Sequence, residues 1–353
     1  MRSFLLLVLS LMTGGEASAQ VEGCADGWVD FTCPYPKNKD GQYESLSVVN
    51  PTKKSLKITK KDEDEIRDRV HVARDTDNKK VRVIIKQLRQ EDIDEWKCEF
   101  GSSTNQHKGL QELETDEDEC QKPFHQAAYK TAKTTIACEY PENSYESNVK
   151  FFCKESGSIC KDILATQSSP LKNRMFTLTE SYRGFNVSIS KVSSQHKGVY
   201  WCGVKSKDGS YQAGLRQIRL TVEDIQADFK RSPTVGHNLT YWCKYQEESH
   251  IFICKGEDPS ICPPLLNNSE QTSNERFSME EDKTKKNITI TVRHVTMQDN
   301  GTYWCGARST DNTRSNTFFH RLSLIVVPLS TTAVSTTQST PVASGGSGKR
   351  AGK

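Results

Sequence analysis

The chain has 353 residues, with 48 basic and 45 acidic side chains and a formal net charge of +3. This length suggests two or three compact domains rather than one large core. The near balance of charge disfavours nucleic acid as a partner, because a nucleic-acid-binding surface needs a clear basic excess.

The N-terminus has the features of a secretory signal peptide. Arg2 precedes a short apolar run from Phe4 to Met12, and Ala17-Ser18-Ala19 fits signal-peptidase cleavage before Gln20. A membrane-spanning anchor would need about twenty apolar residues, which is more than this run contains. Residues 1–19 are therefore predicted to be removed, and the mature chain is predicted to enter an oxidising extracellular compartment.

The spacing of the twelve cysteines indicates an internal repeat. They stand at positions 24, 33, 98, 120, 138, 153, 160, 202, 243, 254, 262 and 305, and three long intervals (33 to 98, 138 to 202, 243 to 305) are nearly equal. Two short intervals, 153 to 160 and 254 to 262, do not match zinc-ligand spacing and have no accompanying histidine. In a secreted chain the prediction is disulfide bonds rather than a metal site.

The residues before the last cysteine of the third repeat indicate the fold. Asp299, Gly301, Tyr303 and Cys305 form the pattern DxGxYxC, and GVYWCG at 198–203 places Tyr200 in the same position. In an immunoglobulin sandwich this tyrosine forms the corner before strand F, where its hydroxyl bonds back to the chain. The cysteine two residues later links strand F to strand B in the other sheet.

Alternating apolar and polar residues support strands. NITITV (Asn287 to Val292), FNVSIS (Phe185 to Ser190) and VRVIIKQL (81–88) each fit strand E of an antiparallel sheet with one wet face. The predicted fold class is all-β.

Charged pairs mark two of the three corners. Arg69 with Asp92 and Arg276 with Asp299 lie at equal separations and are predicted to form ion pairs. The second repeat has Met175 and His196 at these places, so both charges are missing together, which avoids a half-buried unpaired charge. His196 is expected to be a solvated turn residue, with a pH-sensing role as the alternative.

The YWCG motif, with a second cysteine in KFFCK (150–154) and IFICK (251–255), resembles the polymeric immunoglobulin receptor and CMRF-type leukocyte receptor family, above all its bony-fish members. The resemblance implies three tandem V-set domains at residues 20–117, 118–223 and 224–327. It also implies that Cys138–Cys202 and Cys243–Cys305 join the sheets, and that Cys153–Cys160 and Cys254–Cys262 brace strands C and C′. Cys33 and Cys98 are predicted to be the corresponding inter-sheet pair of the first domain.

The first domain departs from the family pattern. It has no short cysteine pair, QYESLSVV at 42–49 has neither tryptophan nor cysteine, and Trp96 replaces the corner tyrosine. We expect the indole not to reproduce the hydroxyl's backbone bond. The remaining Cys24 and Cys120 both fall at the lower end of this sandwich, so the hypothesis is a bond between them that stiffens the junction with the second domain; intermolecular pairing is the alternative.

Carbohydrate and a stalk are also predicted. Acceptor sequences for N-glycans occur only in the second and third domains, at Asn186, Asn238, Asn267, Asn287 and Asn300. Residues 328–353 are rich in Ser, Thr, Pro and Gly and are predicted to be a disordered stalk. Family members usually continue into a membrane helix, but no apolar run of spanning length follows here, so the expectation is a secreted chain or a shortened form of a surface receptor.

The predicted function is recognition rather than catalysis. The sequence has no GxSxG, HExxH or phosphate-binding glycine motif, and neither a cofactor nor a metal is expected. Binding of an extracellular ligand, such as immunoglobulin or lipid, through V-domain loops is favoured; an adhesion protein is the alternative. Ligand identity, the sign of signalling, a membrane-anchored isoform and oligomeric state are left open. Predicted contact residues lie in two F–G loops: Thr104, Asn105, Gln106 and His107 in the first domain, and Lys207, Asp208 and Tyr211 in the second.

Overall fold

The computed structural model describes residues 19–35, 45–59, 64–75, 80–102, 105–115, 120–140, 148–157, 159–167, 172–173, 175–246, 250–268 and 276–329. Residues 1–18 of the predicted signal peptide, and the predicted stalk from residue 330, lie outside these ranges. Regular structure within them consists of β-strands and three short 3-10 turns. No described segment is a helix of the length and apolarity required to cross a membrane.

The strands fall into three successive sets. The first set is β1 (Ala19–Gly23), β2 (Trp28–Pro34), β3 (Ser45–Val49), β4 (Ser55–Thr59), β5 (Asp64–Arg67), β6 (Val70–Asp75), β7 (Lys80–Lys86), β8 (Asp94–Ser102) and β9 (Asn105–Thr115). The second is β10 (Phe124–Tyr129), β11 (Thr134–Glu139), β12 (Val149–Ser156), β13 (Ile159–Ala165), β14 (Lys172–Asn173), β15 (Phe176–Ser181), β16 (Gly184–Ile189), β17 (Gly198–Lys205) and β18 (Tyr211–Glu223). The third is β19 (Ala227–Arg231), β20 (Leu239–Lys244), β21 (Ile251–Lys255), β22 (Pro264–Asn267), β23 (Phe277–Asp282), β24 (Asn287–Val292), β25 (Gly301–Ala307) and β26 (Thr317–Leu324).

Each set forms two facing sheets in the same order. One sheet runs β1-β9-β8-β3-β4, β10-β18-β17-β12-β13 or β19-β26-β25-β21-β22, and its first strand is parallel to its neighbour. The other runs β2-β7-β6-β5, β11-β16-β15-β14 or β20-β24-β23. The prediction of an all-β chain of tandem immunoglobulin-type sandwiches is confirmed. The residue boundaries at 117/118 and 223/224 stay predictions, and the first of them falls in 116–119, outside the described residues.

The predicted E strands are β7, β16 and β24. Burial alternates strictly in β16 and β24, whereas in β7 Ile84 is buried together with Val83 and Ile85. In β16 and β24 every second residue is buried, from Phe185 to Ile189 and from Ile288 to Val292. The buried faces meet the opposing sheets in apolar cores. The cores of the first two sandwiches form one contiguous cluster, and the third has its own.

A 3-10 turn leads into strand F of each sandwich, at Gln90–Asp92, Ser194–His196 and Met297–Asp299. The last side chain of each turn accepts a backbone N–H three residues earlier: Asp92 from Arg89 (2.9 Å), His196 Nδ1 from Ser193 (2.9 Å) and Asp299 from Thr296 (2.7 Å). These bonds close the corner before the strand begins.

The first two sandwiches share a β-sheet. Strand β18 pairs antiparallel with β2, with Tyr211 opposite Phe31 and Gly214 opposite Trp28. One continuous sheet therefore runs from β13 to β5 through both sandwiches. A strand pairing of this kind fixes the relative orientation of the two sandwiches far more tightly than a flexible linker would.

Candidate functional site

The corner before strand F is built alike in all three sandwiches. The Tyr200 hydroxyl donates to the carbonyl of His196 (2.6 Å), and the Tyr303 hydroxyl donates to the carbonyl of Asp299 (2.9 Å). Trp96 is fully buried, and its indole N–H donates to the carbonyl of Asp92 at 2.9 Å. The expectation that an indole would not reproduce this bond is therefore wrong, because the longer ring brings its N–H to the same carbonyl four residues back.

Arginine reaches the corner carboxylate in the first and third sandwiches. Arg69 bonds Asp92 through both terminal nitrogens, one of them at 2.7 Å, and also bonds Glu91 at 3.0 Å. Arg276 bonds Asp299 through one terminal nitrogen. Both carboxylates are buried, so removal of either arginine would leave a desolvated charge.

The second sandwich replaces this pair with a buried histidine. His196 is only 4% exposed and its ring lies edge-on to Phe176 at 5.6 Å between ring centroids. The expectation of a solvated turn residue is wrong, because the ring is buried and packs against Phe176. Burial, reinforced by the charge of Lys154, lowers the pKa of His196.

A lysine on strand C supports each tyrosine corner, and sequence reasoning missed it. Lys154 Nζ donates to the carbonyl of Gln195 (2.8 Å) and lies 5.2 Å from the centre of the Tyr200 ring. Lys255 repeats this on the carbonyl of Gln298 (2.6 Å) and on Tyr303 (5.5 Å). The signal was present in KFFCK and IFICK, where the same lysine follows the cysteine.

The tryptophan of YWCG lies at a junction between sandwiches. Trp28 of the first sandwich lies against Trp201 and Phe151 of the second, with ring centroids 6.5 and 6.2 Å apart. The indole lies over Gly214, where a Cβ atom would overlap it. The absent side chain at Gly214 is therefore what lets Trp28 reach Trp201.

The F–G turn of the second sandwich is held by the first sandwich. The carbonyl of Ser210 accepts from the backbone N–H (2.9 Å) and the hydroxyl (3.1 Å) of Thr32. Gln212 donates to Asp30 at 2.8 Å, and Arg82 also bonds this carboxylate through Nε at 2.9 and 2.8 Å. These hydrogen bonds hold the F–G turn of the second sandwich against strand β2 of the first.

The predicted contact residues of this turn have different surroundings. Lys207 and Asp208 are exposed, and hydrogen bonds from Ser206 and Ser210 lower the pKa of Asp208 to about 2. Tyr211 is half-buried beside β2, and its hydroxyl accepts from Asn148 at 2.7 Å. Only the tip of the turn remains open to a ligand.

A cavity of about 710 Å³ opens beside this junction. Several of its charged lining residues are paired across the two sandwiches or within one, as Lys86 is with Glu155 (2.9 Å) and Arg69 is with Asp92. These pairs make the cavity part of the junction rather than a site of defined ligand chemistry.

The junction between the second and third sandwiches repeats the arrangement. Tyr129 lies 5.9 Å from both Trp304 and Phe318 between ring centroids, and its hydroxyl accepts from the N–H of Phe318 at 2.6 Å. Burial raises the pKa of Tyr129. The hydroxyl of Thr135 donates to the buried carboxylate of Asp258 at 2.5 Å. Polar and aromatic contacts thus fix this second pair.

The F–G loop of the third sandwich is also used within the chain. The N–H of His125 donates to the carbonyl of Thr313 (2.8 Å), and the N–H of Ser315 donates back to the carbonyl of His125 (2.9 Å). In both junctions, therefore, the F–G loop of the later sandwich holds a strand of the earlier one.

In the part of the chain that the structure describes, no strand of another sandwich joins the corresponding sheet of the first. Lys97 follows Trp96 where Trp201 and Trp304 follow their tyrosines, and Lys97 pairs with Glu95 at 3.1 Å. Of the predicted contact residues, Thr104 lies outside the described residues. The backbones of Asn105, Gln106 and His107 belong to β9, already paired with Ser102, Gly101 and Phe100. The prediction that Asn105, Gln106 and His107 lie in an F–G loop is therefore wrong, because β8 continues to Ser102 and β9 begins at Asn105.

All twelve cysteines are bonded in pairs. Cys33–Cys98, Cys138–Cys202 and Cys243–Cys305 join facing sheets, with Cα atoms 6.4, 5.6 and 6.6 Å apart. Cys153–Cys160 and Cys254–Cys262 lie beside the aromatic clusters of the two junctions. Cys24–Cys120, with Cα atoms 5.5 Å apart, ties the connection between the first two sandwiches to the start of the first.

The five predicted glycan acceptors lie in the second and third sandwiches. Asn238 and Asn300 are exposed, and Asn186, Asn267 and Asn287 are half-buried. An N-glycan would be attached through the side-chain nitrogen of each.

The paired sheets, inter-sheet disulfides and tyrosine corners define a protein of tandem immunoglobulin variable-type domains. The immunoglobulin V-set domain family matches residues 224–327. The chain is related to the polymeric immunoglobulin receptors, as its motifs indicated. It is 26% identical to the human polymeric immunoglobulin receptor over 244 residues, which are 63% of this chain and 31% of that protein. It is 24% identical to the mouse receptor over 263 residues, 68% of this chain and 33% of that protein.

The chain spans about a third of the length of the curated relatives it matches. Among solved structures, the ectodomain of a teleost fish polymeric Ig receptor is similar at 19% identity and a TM-score of 0.26, covering 58% of this chain and 96% of that one. The relatives found are receptors built on the immunoglobulin fold rather than members of enzyme families.

Proposed function

We propose that this chain is the non-enzymatic ligand-binding part of an extracellular immune receptor, and that it binds immunoglobulin through the N-terminal end of its first sandwich. One observation carries the proposal. The F–G loops of the second and third sandwiches hold the preceding sandwich, whereas within the described residues the corresponding hairpin of the first, β8 with β9, pairs with no strand of another sandwich.

Two further observations support this assignment. The predicted glycan acceptors all lie in the second and third sandwiches, so the first has no N-glycan acceptor sequence. The relatives are named as receptors for polymeric immunoglobulin, which supplies the ligand class. Loops on a rigid scaffold are the usual place for recognition.

Six disulfides support an extracellular location, because an oxidising compartment is needed to keep them formed. We assign the chain to the extracellular space, either as a secreted protein or as a shortened form of a surface receptor.

The test is binding of the full mature chain to immobilised polymeric immunoglobulin by surface plasmon resonance. We expect saturable binding that Gln106→Ala with His107→Ala weakens by about tenfold or more, as loss of a central contact does. Lys207→Ala, on the exposed turn of the second sandwich, is the matched control and should bind as the wild type does.

Three outcomes would contradict the proposal. Saturable binding to phospholipid vesicles and not to immunoglobulin would identify a lipid receptor. Clustering of chain-coated beads without either ligand would identify an adhesion protein. An equal effect of Lys207→Ala would move the site to the second sandwich.

A further inference from the structure

One aromatic side chain on the solvent face of the third sandwich is left uncovered by the protein. Trp242 on β20 is 52% exposed, although its ring is held by Phe229 and His320, each 5.9 Å away between ring centroids. The other four tryptophans of the chain are at most 6% exposed. An indole that is fixed in place and half open presents a flat apolar surface at little entropic cost.

A predicted glycan acceptor lies diagonally across from Trp242. Strands β20 and β24 pair Trp242 with Thr289 and Lys244 with Asn287. Asn287, Thr289 and Trp242 alternate with buried residues and so share the outward face of the sheet. Diagonal neighbours of an antiparallel pair lie about 7–8 Å apart, within reach of a large side chain.

The side-chain amide of Asn287 is oriented so that a glycan could be attached to it from the solvent side. The side-chain oxygen of Asn287 is buried without a hydrogen-bond partner, so the amide is turned with its oxygen inward. The nitrogen, through which an N-glycan is attached, is then the atom on the solvent side. Asn287-Ile288-Thr289 supplies the acceptor sequence.

We propose that Asn287 carries an N-glycan whose first sugar packs on the face of Trp242. The apolar C–H groups of a pyranose ring lie against the indole, and the sugar covers the surface that the protein leaves open. The carbohydrate thus becomes a structural part of this face of the third sandwich.

The second sandwich provides an internal comparison. Its strand β16 carries the acceptor Asn186 directly opposite Ala137 on β11. In the second sandwich Arg216 lies over the ring of Phe124, and at the equivalent place in the third His320 contacts Phe229. The fold therefore accepts alanine at the place of Trp242, and a glycan on Asn186 has no aromatic ring to lie on.

The experiment is acrylamide quenching of tryptophan fluorescence in the full mature chain secreted from eukaryotic cells, with glycan occupancy determined by peptide mapping. Since the other four indoles are buried, the quenchable signal reports Trp242. We expect Asn287→Gln and Thr289→Ala, which both remove the acceptor sequence, to raise the quenching constant by about twofold, as an exposed apolar face opens to solvent. Asn186→Gln is the matched control and should leave it unchanged.

Two further measurements distinguish the effect of losing the sugar from the effect of the amino-acid substitution. Trimming the glycan to its first sugar should preserve the protection of Trp242, and Trp242→Ala should abolish the quenchable component. Loss of the glycan should lower the thermal midpoint of the wild type more than that of Trp242→Ala. This variant carries the alanine that the second sandwich has at the corresponding place, so it has no indole for the sugar to cover.

The proposal is overturned if Asn287 is unoccupied in the secreted chain. It is equally overturned if the occupied chain and Asn287→Gln are quenched alike, or if protection depends on protein concentration, which would mean that a second copy covers Trp242. None of these outcomes bears on immunoglobulin binding by the first sandwich.

Discussion

At the scale of single residues, Trp96 shows how one backbone bond is kept while its donor changes. Replacement by tyrosine restores the hydroxyl found in the other two corners, whereas phenylalanine has no donor and leaves the carbonyl of Asp92 without its partner. We expect Trp96→Phe to be less stable than Trp96→Tyr by about 1 kcal/mol. Hydrogen exchange of the β8 amides in the full chain measures the difference; equal exchange in the two variants would show that the bond contributes nothing.

His196 makes the second sandwich sensitive to acid. Its pKa in the folded chain is lowered by burial and by Lys154, so the folded state binds fewer protons than the unfolded state, where the pKa is about 6.5. The stability contributed by the neutral ring is complete above that value and falls as the pH decreases below it.

We therefore expect the thermal midpoint of the second sandwich to fall between about pH 7.5 and about pH 5. The double variant Met175→Arg with His196→Asp, which installs the ion pair of the other two corners, should lose this dependence. A similar decrease in both proteins would assign the effect to other groups.

At the scale of strands, the pairing of β2 with β18 depends on Gly214. A methyl group there overlaps the Trp28 indole, so Gly214→Ala should displace Trp28 and separate the two strands. We expect the amide of Thr32, which is bonded to Ser210, to exchange at least about tenfold faster, in keeping with the loss of more than 1 kcal/mol of local protection. Lys207→Ala on the same turn is the control; protection retained in Gly214→Ala would show that the pairing does not need the glycine.

The positions of the strands could be predicted from the sequence, but the contacts of their outer faces could not. Period-two alternation in NITITV and FNVSIS locates β24 and β16, because one face of each meets its own core. The same pattern contains no information on what covers the outer face. Trp201 and Trp304 belong to a recognisable motif, but their contacts with Trp28 and Tyr129 depend on how separate sandwiches meet. His196 was misjudged for a related reason, since a turn in the sequence does not reveal the ring of Phe176 above it.

At the scale of the whole molecule, the first junction is held both covalently and by strand pairing. Cys24–Cys120 ties the connecting segment to the first sandwich, but the contacts of Trp28 and Thr32 are independent of it. We expect Cys24→Ser with Cys120→Ser to keep the radius of gyration of the full chain in X-ray scattering. An increase in that radius would mean that the disulfide, rather than the shared sheet, maintains the docking.

Lys97 has a consequence for how such a row of modules is ordered. A tryptophan at this place receives the module that comes before, and the first sandwich presents a hydrated ammonium group instead. Adding another copy upstream would therefore bring an aromatic ring against a charge, with no platform to receive it. Lys97 therefore distinguishes the first sandwich chemically from the second and third, each of which receives a neighbouring sandwich on its tryptophan.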